Sequence, residues 1–402
     1  MHNNKWIKLR HKFFRNFLIL FLYPYTVLKY GIRINKFKEQ ENRPYLILYN
    51  HQTAFDQFFV GMSIKGPVYY LASEDIFSLG FVSSIIKFLV EPIPIKKQTL
   101  DIGAIKSCIK VVKEGGTLAI APEGNRTFSG KTEYINPAIA SLVKKLNVPV
   151  LLYRIEGGYG IHPRWSDVVR KGRMTAGVYD VINPEEYENL SKEELFNRIY
   201  RGLYVNEANS ANIYKHKRRA EFLERAIYIC PNCDFSTFYS NNNALECKKC
   251  KRKILYNEDT SLVGDGFKLP FPYISQWYDY QKEFVNNTDL KPYFSSAIYN
   301  EKISLYRVIP CKKKLKLKKD TDISLYGNRI VINKSQDDEI VFKFDEISAL
   351  TILGKNKLDI YFENNIYQLK GDKRFNALKY VHIFNRYKNT CLEDKNGKFL
   401  GL

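Results

Sequence analysis

Nowhere in its 402 residues does the chain have an apolar run approaching the roughly 20 residues of a membrane-spanning helix. The nearest approach, Phe17 to Leu28, is interrupted by Tyr23, Pro24 and Tyr25. No repeat with a period of about 20 to 50 residues is present, which excludes solenoids and propellers, and low complexity is confined to one lysine-rich stretch. Acidic residues are scarce. Against 63 Lys and Arg there are 42 Asp and Glu, and the formal net charge of +21 suits a surface that meets phosphates, on lipid headgroups or on nucleic acid. A disulfide framework is excluded by the cysteines, which are odd in number: Cys108, Cys230, Cys233, Cys247, Cys250, Cys311 and Cys391, four of them crowded into one short stretch. A reducing cytosol is the implied setting.

What is present is enough to fold. Hydrophobic residues make up 45% of the chain and aromatic residues 14%, so apolar burial can offset chain entropy, and the length suits two or three domains. At the N-terminus, Lys5, Lys8, Arg10, Lys12 and Arg15 precede the apolar run, but Tyr, Pro and Lys follow where small residues would mark a cleavage site. Residues 1–40 therefore read as a retained helical segment lying in a membrane interface, with Pro24 expected to kink it.

Residues 41–210 alternate β-prone runs with helical stretches. The runs are Pro44 to Tyr49, Val68 to Leu71, Pro92 to Ile95, Thr117 to Ile120, Val148 to Ile155 and Met174 to Val181; the helical stretches are Phe58 to Ile64, Phe77 to Leu89, Ile102 to Lys113 and Pro137 to Leu146. Such alternation predicts an α/β domain with a mixed, largely parallel sheet covered by helices. Ser191 and Glu194 form a capping-box start, and helical composition continues as a connector through 211–228. Residues 229–256 hold the four crowded cysteines, 257–292 read as an aromatic linker, and 293–402 read as a β-rich domain closed by a helix from Phe375 to Tyr387. Several strands capped by one terminal helix resemble a pleckstrin-homology-type domain.

One stretch carries chemistry. His51 and Asp56, in Asn50-His51-Gln52-Thr53-Ala54-Phe55-Asp56, follow the first strand and open a helix. Five helical steps turn through about 500°, so the two side chains would diverge by about 140° if both were helical. They meet only if His51 sits in the turn before the helix and Asp56, one turn inside, points back at the imidazole. Asp56 could then hold one ring nitrogen while the other takes a hydroxyl proton. With six histidines in the chain this spacing alone is weak. Its context is Pro122-Glu123-Gly124-Asn125-Arg126-Thr127, a loop after another strand, where Gly124 allows a tight turn and Arg126 offers a planar fork for phosphate. Between the two, Ile95 leads into Lys96 and Lys97.

At these residues the chain resembles the glycerolipid acyltransferases of the bacterial lysophosphatidate acyltransferase type. Asn50, His51 and Asp56 match that family's first block; Pro122, Glu123, Gly124 and Arg126 match its second; Ile95-Lys96-Lys97 and Val148-Pro149-Val150 match two others, and the resemblance runs from about residue 10 to about residue 210. Thr53 stands where serine is commoner, Ala121 where an aromatic is common, Asn125 where threonine is common, and lysine replaces arginine in the intervening block. The resemblance implies transfer of a fatty acyl group from acyl-CoA or acyl carrier protein to the free hydroxyl of 1-acyl-glycerol 3-phosphate. His51 would be the base and Asp56 its partner; Arg126 with Lys96 or Lys97 would hold the acceptor phosphate; Glu123 would orient the loop or the glycerol. It also implies phospholipid biosynthesis at the cytoplasmic face of the cell membrane, with no organic cofactor.

Cys230-Pro231-Asn232-Cys233 and Cys247-Lys248-Lys249-Cys250 are two C-x-x-C knuckles at a spacing suited to one structural, four-cysteine Zn2+, as in a zinc ribbon. Lysines surround this cluster, and a second cationic run spans Lys312 to Lys319, alternating in part with Leu315 and Leu317 as an exposed strand would. Both can face anionic lipid, and the zinc ribbon and C-terminal domain can also receive a protein partner. Nucleic acid is disfavoured because neither patch has the aromatic and basic interleaving of a single-strand groove. Alternatives to the reading above are acylation of another lysolipid or of glycerol 3-phosphate, a non-catalytic membrane adaptor on the same fold, and a zinc-ribbon nucleic-acid binder.

Overall fold

The computed structural model describes residues 5–39, 44–73, 81–95, 102–207, 212–309 and 314–391. The chain divides into two compact units, one of residues 1–163 with 169–215, the other of residues 164–168 with 216–402.

In the first unit a 22-residue helix, α1 (Leu9–Tyr30), precedes β1 (Ile32–Ile34) and β2 (Leu46–Tyr49). There follow α2 (Asp56–Ser63), β3 (Val68–Ser73), α3 (Phe81–Val90), β4 (Ile93–Ile95), α4 (Ile102–Lys113), β5 (Thr117–Ile120), α5 (Ala138–Leu146) and β6 (Val150–Glu156). A short α6 (Gly158–Ile161), β7 (Met174–Ile182), α7 (Pro184–Glu188) and α8 (Lys192–Leu203) complete it. The strands form one mixed sheet in the order β1-β7-β6-β2-β5-β3-β4, parallel except where β6 meets β7. The predicted α/β arrangement with a largely parallel sheet is the one observed.

Strand β2 sits at the centre of this sheet and shows why its sequence is a continuous apolar run. Leu46 and Leu48 point into a core shared with Leu118, Val143 and Ile199, while Ile47 and Tyr49 point into the opposite core with Phe59, Leu151 and Tyr153. A strand buried on both faces has no polar side to alternate with. The same reasoning places α4, α5 and α8 over one face, and α2 with the C-terminal end of α1 over the other.

Helix α1 continues through Pro24, which lies inside its span. Its inner side is fixed by His11, whose Nδ1 lies 3.0 Å from the Tyr69 hydroxyl, and by Arg15, which donates to the Gly61 carbonyl at 2.9 Å. Its outer side leaves Leu9, Phe13, Phe17, Leu20, Phe21 and Leu28 exposed. Among the described residues no helix is long and apolar enough to cross a membrane.

In the second unit, β8 (Ile229–Cys230) pairs with β9 (Asp234–Phe235), and β10 (Phe238–Asn241), β11 (Ala244–Cys247), β12 (Lys253–Tyr256) and β13 (Leu262–Gly264) form a four-stranded antiparallel sheet. Next come α9 (Ile274–Asn287), β14 (Tyr299–Val308), β15 (Leu315–Leu325), β16 (Arg329–Ile332), β17 (Ile340–Lys343), β18 (Ile347–Leu353), β19 (Lys357–Phe362), β20 (Asn365–Lys370) and α10 (Leu378–Cys391). The last seven strands form an antiparallel sheet in the order β17-β16-β15-β14-β20-β19-β18.

Two stretches differ from the sequence reading. Within 257–292, read as a linker, α9 buries Trp277, Tyr278, Gln281 and Val285 on one side; these positions recur at helical spacing, which the surrounding aromatic residues obscured. Within 211–228, read as a helical connector, the only helical piece among the described residues is the single 3-10 turn Leu223–Arg225. Residues 164–168 are also tied within this unit. Arg164 donates to the carbonyls of Gly354 and Ile352, and Arg225 and Lys355 both pair with Asp167, holding its carboxyl down at about 2 against the upward push of burial.

Candidate active site and four-cysteine centre

Three adjacent parallel strands, β5, β2 and β6, end side by side, and the loops leaving them meet at His51. This is the edge of a parallel sheet at which open α/β folds place ligands. The order in which the groups are fixed starts from the main chain.

Asn50, fully buried at the end of β2, accepts from the Ile155 N–H and donates to the Ile155 carbonyl, both at 2.8 Å. Its amide thereby extends the β2–β6 ladder by one rung through a side chain. The next residue, His51, has both of its main-chain groups held by the loop that follows β5. Its N–H donates to Glu123 Oε1 at 2.7 Å, and its carbonyl accepts from the Thr127 N–H at 3.1 Å. Glu123 Oε2 accepts from the Glu133 N–H at 2.7 Å, so that one carboxyl group buckles two loops together. Burial pushes the Glu123 carboxyl well above the usual carboxylate range, against those two N–H donors. Gly124 turns the loop at φ 67°, a conformation that favours glycine, and its N–H closes the turn onto the Ala121 carbonyl at 3.0 Å.

With the peptide of His51 fixed, its ring meets Asp56. His51 Nδ1 lies 2.8 Å from Asp56 Oδ2. The aspartate is fully buried and surrounded by donors: the Gln52 N–H at 2.6 Å, the Thr53 N–H at 2.9 Å from both oxygens, and the Thr53 hydroxyl at 2.6 Å. A carboxylate so placed can only accept, which puts the imidazole hydrogen on Nδ1 and leaves Nε2 as the basic nitrogen. Asp56 is the first residue of α2, not one turn inside it, because Asn50 to Phe55 form an extended turn. The ring is partly open, with 22% of the side chain exposed. A buried acceptor, a fixed tautomer and a partly exposed ring are elements of a general base.

Arg126 extends from the same loop as Glu123. Burial lowers its pKa while the nearby Asp56 and Tyr30 raise it, so its guanidinium belongs to the electrostatic surroundings of the His51–Asp56 pair. Strand β4, which leads to Lys96 and Lys97, lies at the sheet edge, three strand spacings from β2, or about 14 Å. Lys96 and Lys97 themselves lie outside the described residues.

Sequence reasoning did not find several neighbours. Tyr30, the last residue of α1, packs its ring 5.2 Å from Phe55 and 6.0 Å from His162, and its buried hydroxyl has no hydrogen-bond partner among the described residues. Nothing in the sequence marks it, because it is one aromatic in an aromatic-rich helix. The Gln52 side-chain amide is likewise buried without a partner among the described residues, directly beside His51. Glu207, near the end of the unit, accepts from the Gly157 N–H at 2.7 Å, and burial raises its carboxyl to about 7. Gly157 lies just past β6 at φ 81°, where a Cβ would meet the Arg173 carbonyl at 2.2 Å.

In the second unit the four sulfur atoms of Cys230, Cys233, Cys247 and Cys250 lie within 4.8 Å of one another, and those of Cys230 and Cys250 are 3.8 Å apart. Sulfurs arranged tetrahedrally around zinc at about 2.3 Å are about 3.8 Å apart, so the set fits one such ion. The two knuckles are built alike. In each, the residue after the second cysteine, Asp234 or Lys251, adopts a positive φ, 59° and 62°, which turns the chain back past the sulfurs. Four sulfur ligands would leave no open position on a four-coordinate ion.

These features define an α/β unit with a hydrogen-bonded histidine–aspartate pair at the ends of its parallel strands, joined in sequence to a β-rich unit with a four-sulfur cluster. Residues 32–155, from β1 into β6, match the family model described as Acyltransferase, a match that spans under a third of the chain. Both motif blocks lie inside this span. Among solved structures, the chain is similar to the 1-acyl-sn-glycerophosphate (LPA) acyltransferase PlsC from Thermotoga maritima, at 20% identity over 48% of this chain and 74% of that one, with a TM-score of 0.37. No curated protein matches the chain.

Proposed function

We propose that the chain is a glycerolipid O-acyltransferase that works at a membrane surface, taking lysophosphatidate as acceptor and acyl-CoA or acyl carrier protein as donor. The observation that carries this reading is the 2.8 Å contact between His51 Nδ1 and the buried Asp56 inside the matched acyltransferase span. In the reaction, Nε2 of His51 removes the proton of the acceptor hydroxyl as its oxygen attacks the thioester carbonyl of the donor. The tetrahedral intermediate then collapses, the C–S bond breaks, and the thiolate leaves and takes up a proton. Asp56 stabilises the imidazolium formed in between. No covalent acyl-enzyme is required. Arg126, with Lys96 or Lys97, holds the acceptor phosphate, and Glu123 and Gly124 shape the loop that presents it.

The exposed apolar side of α1, with Arg10 and Lys29 at its two ends, supports a peripheral seat on the cytoplasmic leaflet, the helix lying in the interface. The four cysteines hold one structural Zn2+, and the antiparallel sheet closed by α10 is a pleckstrin-homology-like module. The purified, zinc-loaded protein, offered lysophosphatidate, glycerol 3-phosphate and lysophosphatidylcholine with a long-chain acyl-CoA, is expected to acylate lysophosphatidate best. Acylation of none of the three, with acyl-CoA or with acyl carrier protein, would overturn the reading.

A further inference from the structure

The last turn of α1 meets the His51 turn and brings to it groups that no motif block contains. Gly31 ends the helix at φ 60°, and its N–H closes onto the Val27 carbonyl at 2.9 Å, which fixes the turn carrying Lys29 and Tyr30. The ring of Tyr30 packs against Phe55, Phe59 and His162, and Phe55, the residue before Asp56, also lies 6.2 Å from the ring of Tyr25. The Lys29 ammonium donates to the Tyr25 hydroxyl at 2.5 Å and stands 5.0, 5.7 and 5.8 Å from the ring centres of Tyr25, Tyr30 and Phe55. No carboxylate pairs with it among the described residues.

The Tyr30 hydroxyl is buried, with 1% of the residue exposed, and has no hydrogen-bond partner among the described residues. An unmet buried hydroxyl costs about 1 to 3 kcal/mol, and folded chains retain such groups where something outside the chain completes them. Burial, with Tyr25 and Asp56, raises its pKa, and Arg126 lowers it, so the group remains a protonated donor in the field of both Asp56 and Arg126. A lysine in the last turn of a helix ordinarily complements the helix dipole. That role asks for neither a cage of three rings nor a buried hydroxyl donor in the next residue. A phosphate monoester has three terminal oxygens; the planar fork of Arg126 suits two of them, which leaves one for a hydroxyl donor and a point charge. We propose that Lys29 and Tyr30 complete the acceptor's phosphate subsite with Arg126, and that they select phosphate monoesters of glycerol over the phosphodiester and choline cation of lysophosphatidylcholine. The inference rests on the acyltransferase reading for its acceptor, and it adds to Lys96 or Lys97 two residues that precede the matched span.

The test measures binding of a short-chain lysophosphatidate, without vesicles, to the full-length, zinc-loaded His51→Ala protein, so that neither turnover nor the seat of α1 on a bilayer enters. In this parent, Lys29→Met and Tyr30→Phe are each expected to weaken binding about tenfold or more, and Lys29→Arg to keep it within about threefold. Tyr30→Phe is expected to leave the melting temperature unchanged or raised, since the hydroxyl gives up no partner. Glycerol 3-phosphate is expected to show the same losses, whereas lysophosphatidylcholine of equal chain length is expected to hold or gain affinity in Lys29→Met. Losses confined to lysophosphatidate would assign the two residues to the acyl chain and overturn the proposal. Affinity within about twofold of the parent in both variants would also overturn it, as would a Tyr30→Phe protein that melts lower and binds equally well. The acyltransferase reading is judged separately, by acylation with His51 intact. No acyl transfer, with binding dependent on Lys29 and Tyr30, leaves the subsite standing and defeats that reading; acyl transfer with unchanged KM in both variants does the reverse.

Discussion

The His51 turn and the four-cysteine cluster both place reactive atoms on loops, yet they are held in opposite ways. At the cluster each pair of sulfurs comes from a knuckle of four residues closed by its own following residue in a left-handed conformation, so the geometry is local. At His51 the ring is held locally by Asp56, but the main chain is held from far away in sequence. Its N–H is held by a residue 72 positions away, and its flanking Asn50 by one 105 positions away. A local site survives as long as its ligand is bound, whereas a site assembled from three strand ends depends on the packing of the whole unit. The two regions should therefore fail differently when single groups are removed.

The largest effect is expected at the cluster. Cys230→Ser combined with Cys247→Ser should abolish the binding of one equivalent of zinc, measured by metal analysis of the purified protein. Structural zinc contributes on the order of 10 kcal/mol to folding small modules, so amide exchange across β8 to β12 should rise to that of an unfolded segment. Unchanged zinc content would show that the knuckles are not its ligands.

Asn50→Ala removes both hydrogen bonds to Ile155 from a fully buried position and should cost roughly 2 to 4 kcal/mol in chemical denaturation of the first unit. Because the His51 turn loses its anchor, kcat should fall by at least about tenfold while zinc content stays the same. If stability falls and kcat does not, the turn is held by Glu123 and Thr127 alone.

The pH dependence of stability sharpens the same contrast. Glu207 has its carboxyl raised from 4.5 to about 7, so its neutral form stabilises the fold fully below pH 4.5, and this contribution fades as pH rises to about 7. The loss amounts to roughly 3 kcal/mol. Glu207→Gln should flatten the melting temperature of the first unit across this window, and an unchanged slope would assign the dependence to other groups. A smaller effect belongs to Thr53→Val, which keeps the shape but deletes the hydroxyl donating to Asp56 Oδ1, at a cost of about 1 to 2 kcal/mol. Urea denaturation would measure it, and no change would mean that the two main-chain donors suffice for Asp56.

The same contrast explains what could be read from the sequence. The apolar runs that became β2, β5 and β6 are buried on both faces and stand out as runs, and helix Ile102–Lys113 falls where its composition puts it. The C-x-x-C spacing named the sulfur cluster because the knuckle is a local object. His51 and Asp56 were legible as a pair but not in their geometry, since the buckle through Glu123 to Glu133 and the rung from Asn50 to Ile155 exist only once the strands are side by side. Tyr30 was invisible because it reaches the site through the end of a helix whose sequence is dominated by its exposed apolar side. Helix α9 was missed because polar and aromatic residues alternate within it, and only its buried positions repeat at helical spacing.

The proposed function rests on one atom, His51 Nε2, as the base. The most direct measurement is kcat for acylation of lysophosphatidate by His51→Ala, compared with the unmodified protein at equal zinc content and equal melting temperature. The account predicts a fall of about a thousandfold or more with little change in acceptor KM. Full activity in His51→Ala would contradict it.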